Sequence, residues 1–539
     1  MPGFVPNWMG NLSLVNVKDY GALGNGIHDD TTAIQLAFDT AFGTGNIGNQ
    51  TFDAKPVYFP PGDYMISSPL YIIGVTGARV FGAGNGTSQL HYTGTGTEGN
   101  TLTQPTTGFD SSLNNFTPML ALDGVSYSKF EGLSFLAPSA NATVSNMHGI
   151  LIYQSGYKGY CGQNVFENMN IHNMYGGILG YQGGGNCDNC IFNNVLLLAC
   201  GQYGIKTLGL NVINWQVYGG GAQGCAWLSD YNPDTVFQDT HGGAAAYLCV
   251  GGSIGIISGV SCSQNMWDVI NAGQQMFVVG GSFEGQQSYT LASATWNSGT
   301  GLATITTNVP HGYTGTIAIA VGDVLTHTGY NGSYTGTVTG ATTITYPISN
   351  PGGSGVIDTG RTSVWKTNAG SISAQGATIH VSGVAYRAGM SVGSRWLDMV
   401  FSGQIIATGC IYNPGNDFGF GTIASLGDNG VFVSHGNNYL DKGISCGFKG
   451  QNNATMSFTG NQWFPGGYTN VFTNFTGTIT EYEQVKKVAV SALPTAAAKF
   501  TGLRGSVTDA NATTFLTTVA SGGSNKVPVF CDGSAWKIG

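Results

Sequence analysis

A short pattern of apolar residues with one break in strict alternation recurs along this chain and constrains its fold more than any other feature. It reads FEGLSF from residue 130, FENMNI from 166, FNNVLL from 192, VINWQV from 212, ISGVSC from 257 and VVGGSF from 278, in steps of 36, 26, 20, 45 and 21 residues. It resumes as IATGCI at 406, VSHGNN at 433 and FTGNQW at 458. Alternation buries one face of a strand, and a single break marks a bend between two short strands. A period of roughly 20–26 residues suits the coil of a parallel β-helix and is too short for a propeller blade, which takes about 40. The 86 glycines among 539 residues, with only 8% charged residues, fit many tight turns and a surface of Asn, Thr, Ser and Gly.

Upstream of the repeats, residues 19–37 read DYGALGNGIHDDTTAIQLA. Asp30 or Thr31 suits a helix N-cap, and Ala33, Ile34, Ala37, Phe38 and Ala41 then share one face of a helix of about three turns. Such a helix would cover the open end of a stack of β-coils, an edge that otherwise pairs with another chain. Asp29 and Asp30 are read as caps and ties for the Gly-rich turn rather than as a catalytic pair.

The residues Asp19, Tyr20, Gly21, Ala22, Gly24, Gly26, Asp29, Asp30 and Thr31, followed by Phe59, Pro60, Pro61, Gly62 and Tyr64, resemble the opening of the pectate-lyase-like superfamily of right-handed parallel β-helices. The resemblance implies an all-β, right-handed parallel β-helix. Members of the superfamily include polysaccharide lyases, glycoside hydrolases and phage tailspikes, so the fold alone does not choose a reaction.

Residues 289–360 differ in kind: alternating Thr, Ile and Val at hairpin spacing predict a small antiparallel module looped out of the stack. Its Pro310–Tyr313 and Tyr330–Tyr334 motifs are similar to a short β-module of phage and prophage tail proteins. From residue 485 the composition shifts again, and six of the chain's 18 basic residues fall in its last tenth. That β-rich segment resembles the ends of phage fibre proteins, which implies a homotrimer. The expected division is 1–50 for the N-terminal segment and capping helix, 51–288 and 361–484 for the two parts of the β-helix, 289–360 for the insert and 485–539 for the C-terminal segment.

A net charge of −9 argues against nucleic acid as partner. No stretch approaches the roughly 18–20 apolar residues that cross a bilayer, and MPGFVPNWMG lacks the marks of a signal peptide. An extracellular or virion-associated protein is expected; about 15 residues precede the opening motif, which suggests a virion adaptor, a shortened sequence or a source other than a phage. Cys200, Cys225, Cys249 and Cys262, spaced near one coil, predict stacked free thiols. Cys187 and Cys190 lack a second pair at zinc spacing, so neither metal nor cofactor is expected.

A long repeated face suits an extended polymer, and exposed aromatic rings suit the apolar faces of sugars. Hydrolysis of a glycosidic bond needs two carboxyls at about 5–5.5 Å or about 6.5–9.5 Å. The densest acidic cluster is LSDYNPDTVFQDTHGG, residues 228–243, with Asp230, Asp234, Asp239 and His241, and with Trp215, Tyr218, Trp227 and Tyr231 close by in sequence. By alternation Glu284 points outward, and it is paired with Asp239 or Asp234 as the candidate catalytic set, with Asp230 in reserve. His241, Trp215, Trp227 and Tyr231 are the candidate substrate contacts. A second candidate is a column of Glu131 and Glu167, followed by Asn193, whose stacked carboxyls would raise one another's pKa. The expected function is a tailspike-like depolymerase that binds and cleaves a bacterial surface polysaccharide by hydrolysis. The alternatives are a binding-only receptor fibre and a polysaccharide lyase, which needs a cation at the uronate carboxylate; Arg361, Arg387 and Arg395 follow the insert and lie in no matching motif.

Overall fold

The computed structural model describes residues 14–43, 54–98, 116–138, 146–154, 160–181, 186–227, 245–286, 288–322, 324–357, 363–366, 370–387, 395–413, 422–439, 447–450, 453–463, 472–475, 478–482, 487–493, 495–496, 501–502 and 504–539. Two units emerge: Met1–Ser229 with Asp239–Val260, and Asp230–Gln238 with Ser261–Gly539.

In the first unit every coil stacks in parallel register on the next. Lys129–Glu131, Val165–His172, Ile191–Leu198, Trp215–Tyr218 and Ile254–Ser258 pair in turn. The break in alternation is a left-handed residue: Gly132, Asn168 and Asn194 have φ of 67°, 51° and 52°. Asparagine tolerates this region better than most residues, and the Asn194 side-chain amide donates to Asn168 Oδ1 at 2.8 Å. Because the bend recurs at one place, like side chains stack inside. Phe130 and Phe166 lie 5.1 Å apart, as do Phe166 and Phe192. The partner of Phe192 in the next coil is Val217, so the repeat written from residue 212 in the sequence is out of step with the coils.

The helix Thr31–Phe42 buries Ile34, Ala37, Phe38, Ala41 and Phe42, while Ala33 is half-buried. Phe38 packs edge-on against Phe59, 6.1 Å away. The two aspartates divide the work of the entry turn. Asp29 Oδ1 accepts from the Thr31 amide at 3.1 Å and the Thr31 hydroxyl at 2.5 Å. Asp30 stands at the N-cap but makes no side-chain bond to the helix. Its buried carboxylate instead accepts from the amides of Leu23 and Gly24 at 2.8 and 2.9 Å. Gly24 is tightly constrained, having φ of 59° and the Tyr64 ring 2.8 Å from where a Cβ would stand.

The second unit repeats the plan with glycine at the bend. Gly280, Gly383, Gly409, Gly436 and Gly460 have φ between 56° and 63°. Its interior carries a tyrosine column, with Tyr386–Tyr412 and Tyr412–Tyr439 rings 4.9 and 4.8 Å apart and within 6° of parallel. Strands Ser288–Asn297, Leu302–Thr307, Thr343–Pro347, Gly332–Val338, Thr316–Gly322 and Ser363–Lys366 close an antiparallel barrel. Leu291, Ile305, Ile319, Tyr330 and Tyr346 fill its core. Lys487–Val488, Arg504–Ala510, Asn525–Cys531 and Trp536–Ile538 form a four-stranded C-terminal sheet.

The described residues form an all-β, right-handed parallel β-helix with one capping helix and an antiparallel insert. No described helix is long and apolar enough to cross a membrane. Among the described residues nine cysteines are buried and none forms a disulfide.

Two substitutions test what holds the stack. Asp30→Ala leaves the Leu23 and Gly24 amides without their acceptor and is expected to cost about 1–3 kcal/mol, read as a lower urea midpoint. Tyr412→Ala opens a void in the aromatic column and is expected to cost about 3–5 kcal/mol, while Phe515→Ala, on an exposed ring, stays within about 0.5 kcal/mol of the parent.

Candidate functional site

One sheet of the first unit departs from the half-buried pattern of its neighbours. In strands Thr117–Asp123, Met147–Tyr153 and Gly176–Tyr181 every residue is buried, so both faces are covered. The side chain that a Cβ at Gly149 or Gly177 would carry faces Ile171 or Leu197 of the coil interior. Their neighbours His148 and Gly176, with Tyr203 next in register, stand on the opposite, outward face. That face is aromatic and aliphatic, with Phe116, Leu151, Tyr153, Leu179, Tyr181 and Tyr203 in one cluster.

Set into it is a polar group. His148 Nδ1 and the Tyr203 hydroxyl share a hydrogen bond of 2.8 Å. They lie two strands apart, about 9–10 Å by strand spacing, and the bond spans that gap only because Gly176 lies between them. A Cβ there would run into the Tyr203 ring and come within 2.6 Å of His148 Nδ1. Phe116 packs edge-on against the imidazole at 4.6 Å, and Tyr175 stands at 6.1 Å on another side. Lys206 is fully buried, its Nζ 5.4 Å from the centroid of the Tyr203 ring. It occupies the row of Ala121, Leu151 and Leu179. A buried ammonium is rare and costly unless it serves a partner or a function.

An imidazole bonded to a phenol can take up a proton at one end and release one at the other, and an adjacent ammonium stabilises negative charge that develops nearby. Among the described residues no cluster of His, Cys, Asp and Glu is placed to hold a metal ion.

The residues chosen from sequence fall in different places. Asp230, Tyr231, Asp234, Asp239 and His241 lie outside the described residues, as does Arg361. Trp215 is a correction: it is fully buried in the coil interior. Its ring centroid is 5.0 Å from that of Phe192, and its indole N–H donates to the Cys187 carbonyl at 2.8 Å. It packs the core and offers no ring face to a sugar. Trp227 is half-buried. Glu284 is exposed, accepts from the Ser282 hydroxyl at 3.0 Å, and is in register with Ser263 and Arg387.

Glu131 and Glu167 are in register, with Asn193 next. Lys129 Nζ bridges the two carboxylates at 2.6 Å each, and Arg79 reaches Glu131 at 2.7 Å. Burial alone would raise the Glu131 pKa, but the bonds from Lys129 and Arg79 outweigh it and hold the carboxyl below its ordinary value. The repulsion expected of a bare glutamate stack is thus replaced by an ion-pair ladder, which suits neither a general acid nor a vacant cation site.

The sequence reading missed His148, Tyr203 and Lys206. A usable signal was the lone lysine inside the otherwise uncharged strand YGIKTL, and another was the paired glycines at 176 and 177 opposite a histidine.

Residues 14–222 match the family model described as rhamnogalacturonase A/epimerase, pectate lyase-like. Among curated proteins, the non-secreted LysM effector LysM15 of Penicillium expansum is 50% identical over 56 residues, and the mannuronan C5-epimerase AlgE5 of Azotobacter vinelandii is 48% identical over 52 residues. Each match spans 10% of this chain and 4% of the relative's length. Among solved structures, the gp42 tailspike of Acinetobacter phage vb_AbaP_AS12 has a TM-score of 0.43 at 8% identity, covering 99% of this chain and 77% of that one. The A-module of Azotobacter vinelandii mannuronan C-5 epimerase AlgE6 has a TM-score of 0.37 at 14% identity, covering 86% and 99%. Residues 14–222 thus carry a pectate-lyase-like right-handed parallel β-helix, the fold that the opening motif implies.

Proposed function

We propose that this protein is a polysaccharide depolymerase, which binds an extended bacterial surface polysaccharide along its coils and cleaves it, with the buried His148–Tyr203–Lys206 group as the candidate cleavage centre. The observation that carries the reading is the His148–Tyr203–Lys206 group, set into a buried aromatic face of a domain that matches a rhamnogalacturonase/epimerase family. That group favours β-elimination on a uronate over hydrolysis. His148 takes the proton from the carbon beside the sugar carboxylate, and Lys206 offsets the charge that builds on that carboxylate. The electron pair of the broken C–H bond forms the new double bond. The glycosidic C–O bond breaks with its electrons going to the leaving oxygen, which takes the Tyr203 hydroxyl proton, and the proton held by His148 restores the phenol. Hydrolysis through Glu284 with Asp230, Asp234 or Asp239 is the competing chemistry, and binding without cleavage is the competing function.

The same reading places the protein outside the cell or on a virion, as a homotrimer joined through residues 485–539. It involves no nucleic acid and no membrane insertion.

The test incubates the purified protein with bacterial capsular and O-antigen polysaccharides and follows new reducing ends together with the ultraviolet absorbance of an unsaturated uronate. Both signals should rise, and His148→Ala, Lys206→Met and Gly176→Ala should each slow them about 100-fold or more, with circular dichroism unchanged. Reducing ends without the absorbance, lost in Glu284→Gln, would overturn elimination in favour of hydrolysis. Retention of a polysaccharide with neither signal would leave a receptor fibre.

A further inference from the structure

The second unit presents a different outward face. Strands Met276–Val279, Thr378–Ser382, Gln404–Thr408, Val431–His435 and Thr455–Thr459 pair in parallel register. Their inward residues are buried, and their outward ones form two columns: Phe277, His380, Ile406, Val433 and Ser457, and beside it Val279, Ser382, Thr408, His435 and Thr459. No outward residue of these strands is Asp, Glu, Lys or Arg.

At one end stands an aromatic platform. Phe277 is 43% exposed and Val279 is 39% exposed. The His380 imidazole stacks on Phe277 with centroids 4.9 Å apart and planes within 16°. The Gln275 side chain bonds His380 Nε2 at 2.7 Å, which fixes the imidazole against the phenyl ring. Next to the platform runs a row of exposed hydrogen-bonding groups, Ser382, Thr408 and His435, one per coil at about 4.8 Å.

We infer that this face is a second carbohydrate-binding strip, on which the exposed Phe277 ring, held in place by His380, packs against one sugar ring while Ser382, Thr408 and His435 bond the hydroxyls of the sugars that follow. An exposed aromatic pair held rigid by a neighbouring amide loses little freedom when a ring settles on it. A row of neutral donors and acceptors, repeating at close to the length of one pyranose residue, fits an uncharged stretch of an extended glycan. The absence of fixed charge disfavours a nucleic acid or an acidic peptide. The strip rests on the reading that the ligand is a polysaccharide, but it does not depend on the chemistry at His148.

Affinity electrophoresis through gels containing dextran, laminarin, or purified bacterial capsular and O-antigen polysaccharides tests it. At least one of these should retard the parent protein. Phe277→Ala and His380→Ala should each weaken that retention about tenfold or more, Phe277→Tyr should retain it, and Phe515→Ala should leave it unchanged. Retention is read without any cleavage signal, which separates this strip from the chemistry at His148. Retention unaltered by Phe277→Ala and His380→Ala, or no retention of the parent in any gel, would overturn the inference. So would a fall in oligomeric mass of either variant by light scattering, since the face would then be an interface between copies of this chain.

Discussion

The in-register stacking of one coil on the next is the constraint on which the rest of this molecule depends. Each coil supplies the backbone partners of its neighbour, so a one-residue slip would carry a whole column of side chains from the interior to the surface. What pins the register is a left-handed residue at the same place in successive coils. In the first unit Gly132, Asn168 and Asn194 fill that place, and in the second a run of glycines does. The Asn168–Asn194 amide bond adds to the ladder where asparagine replaces glycine. The aromatic columns of Phe130, Phe166 and Phe192, and of Tyr386, Tyr412 and Tyr439, follow from that fixed bend.

Stacking also dictates what can stand outside. Any charge repeated in consecutive coils sits about 4.8 Å from its copy, a separation at which like charges repel strongly unless cations intervene. The Glu131–Glu167 pair is accommodated by Lys129 between the carboxylates, Arg79 on the preceding coil and Asn193 on the following one. Those same bonds hold the Glu131 carboxyl ionised, with its pKa pulled below the ordinary carboxylate value against the effect of burial. The outward group at His148 is built the other way. Its bond between side chains two coils apart is made possible by an empty position, Gly176, rather than by a repeated one.

This contrast explains what was legible in the sequence. Coils, bends, the capping helix and the antiparallel insert are written in local periodicity and turn chemistry, and they could be read from residues near one another. The division of labour between Asp29 and Asp30 was legible as capping and turn-tying, though not which carboxylate does which. Trp215 was misread because the local pattern from residue 212 is out of step with the coils, and only the pairing of Phe192 with Val217 reveals the offset. His148 and Tyr203 are 55 residues apart, and nothing local joins them. Their meeting depends on the number of residues in two intervening coils and on a glycine chosen for the space it leaves. The acids of residues 228–243 declared their chemistry but not their placement, since an acidic cluster carries no periodicity to orient it.

Among the described residues no disulfide joins one coil to another. Burial pushes the Cys249 and Cys410 thiols up to about 11 and raises Cys190 further, so all three stay protonated and inert at neutral pH. Cys161 and Cys187 face each other in adjacent coils and remain free, filling the interior as small polarizable hydrophobes. A chain this rich in glycine loses much conformational entropy on folding. The offset comes from repetition: each added coil buries another layer of apolar side chains and satisfies another set of backbone groups without a new kind of contact. The repetition is broken on one face at Gly176, and that break is what lets His148 and Tyr203 meet.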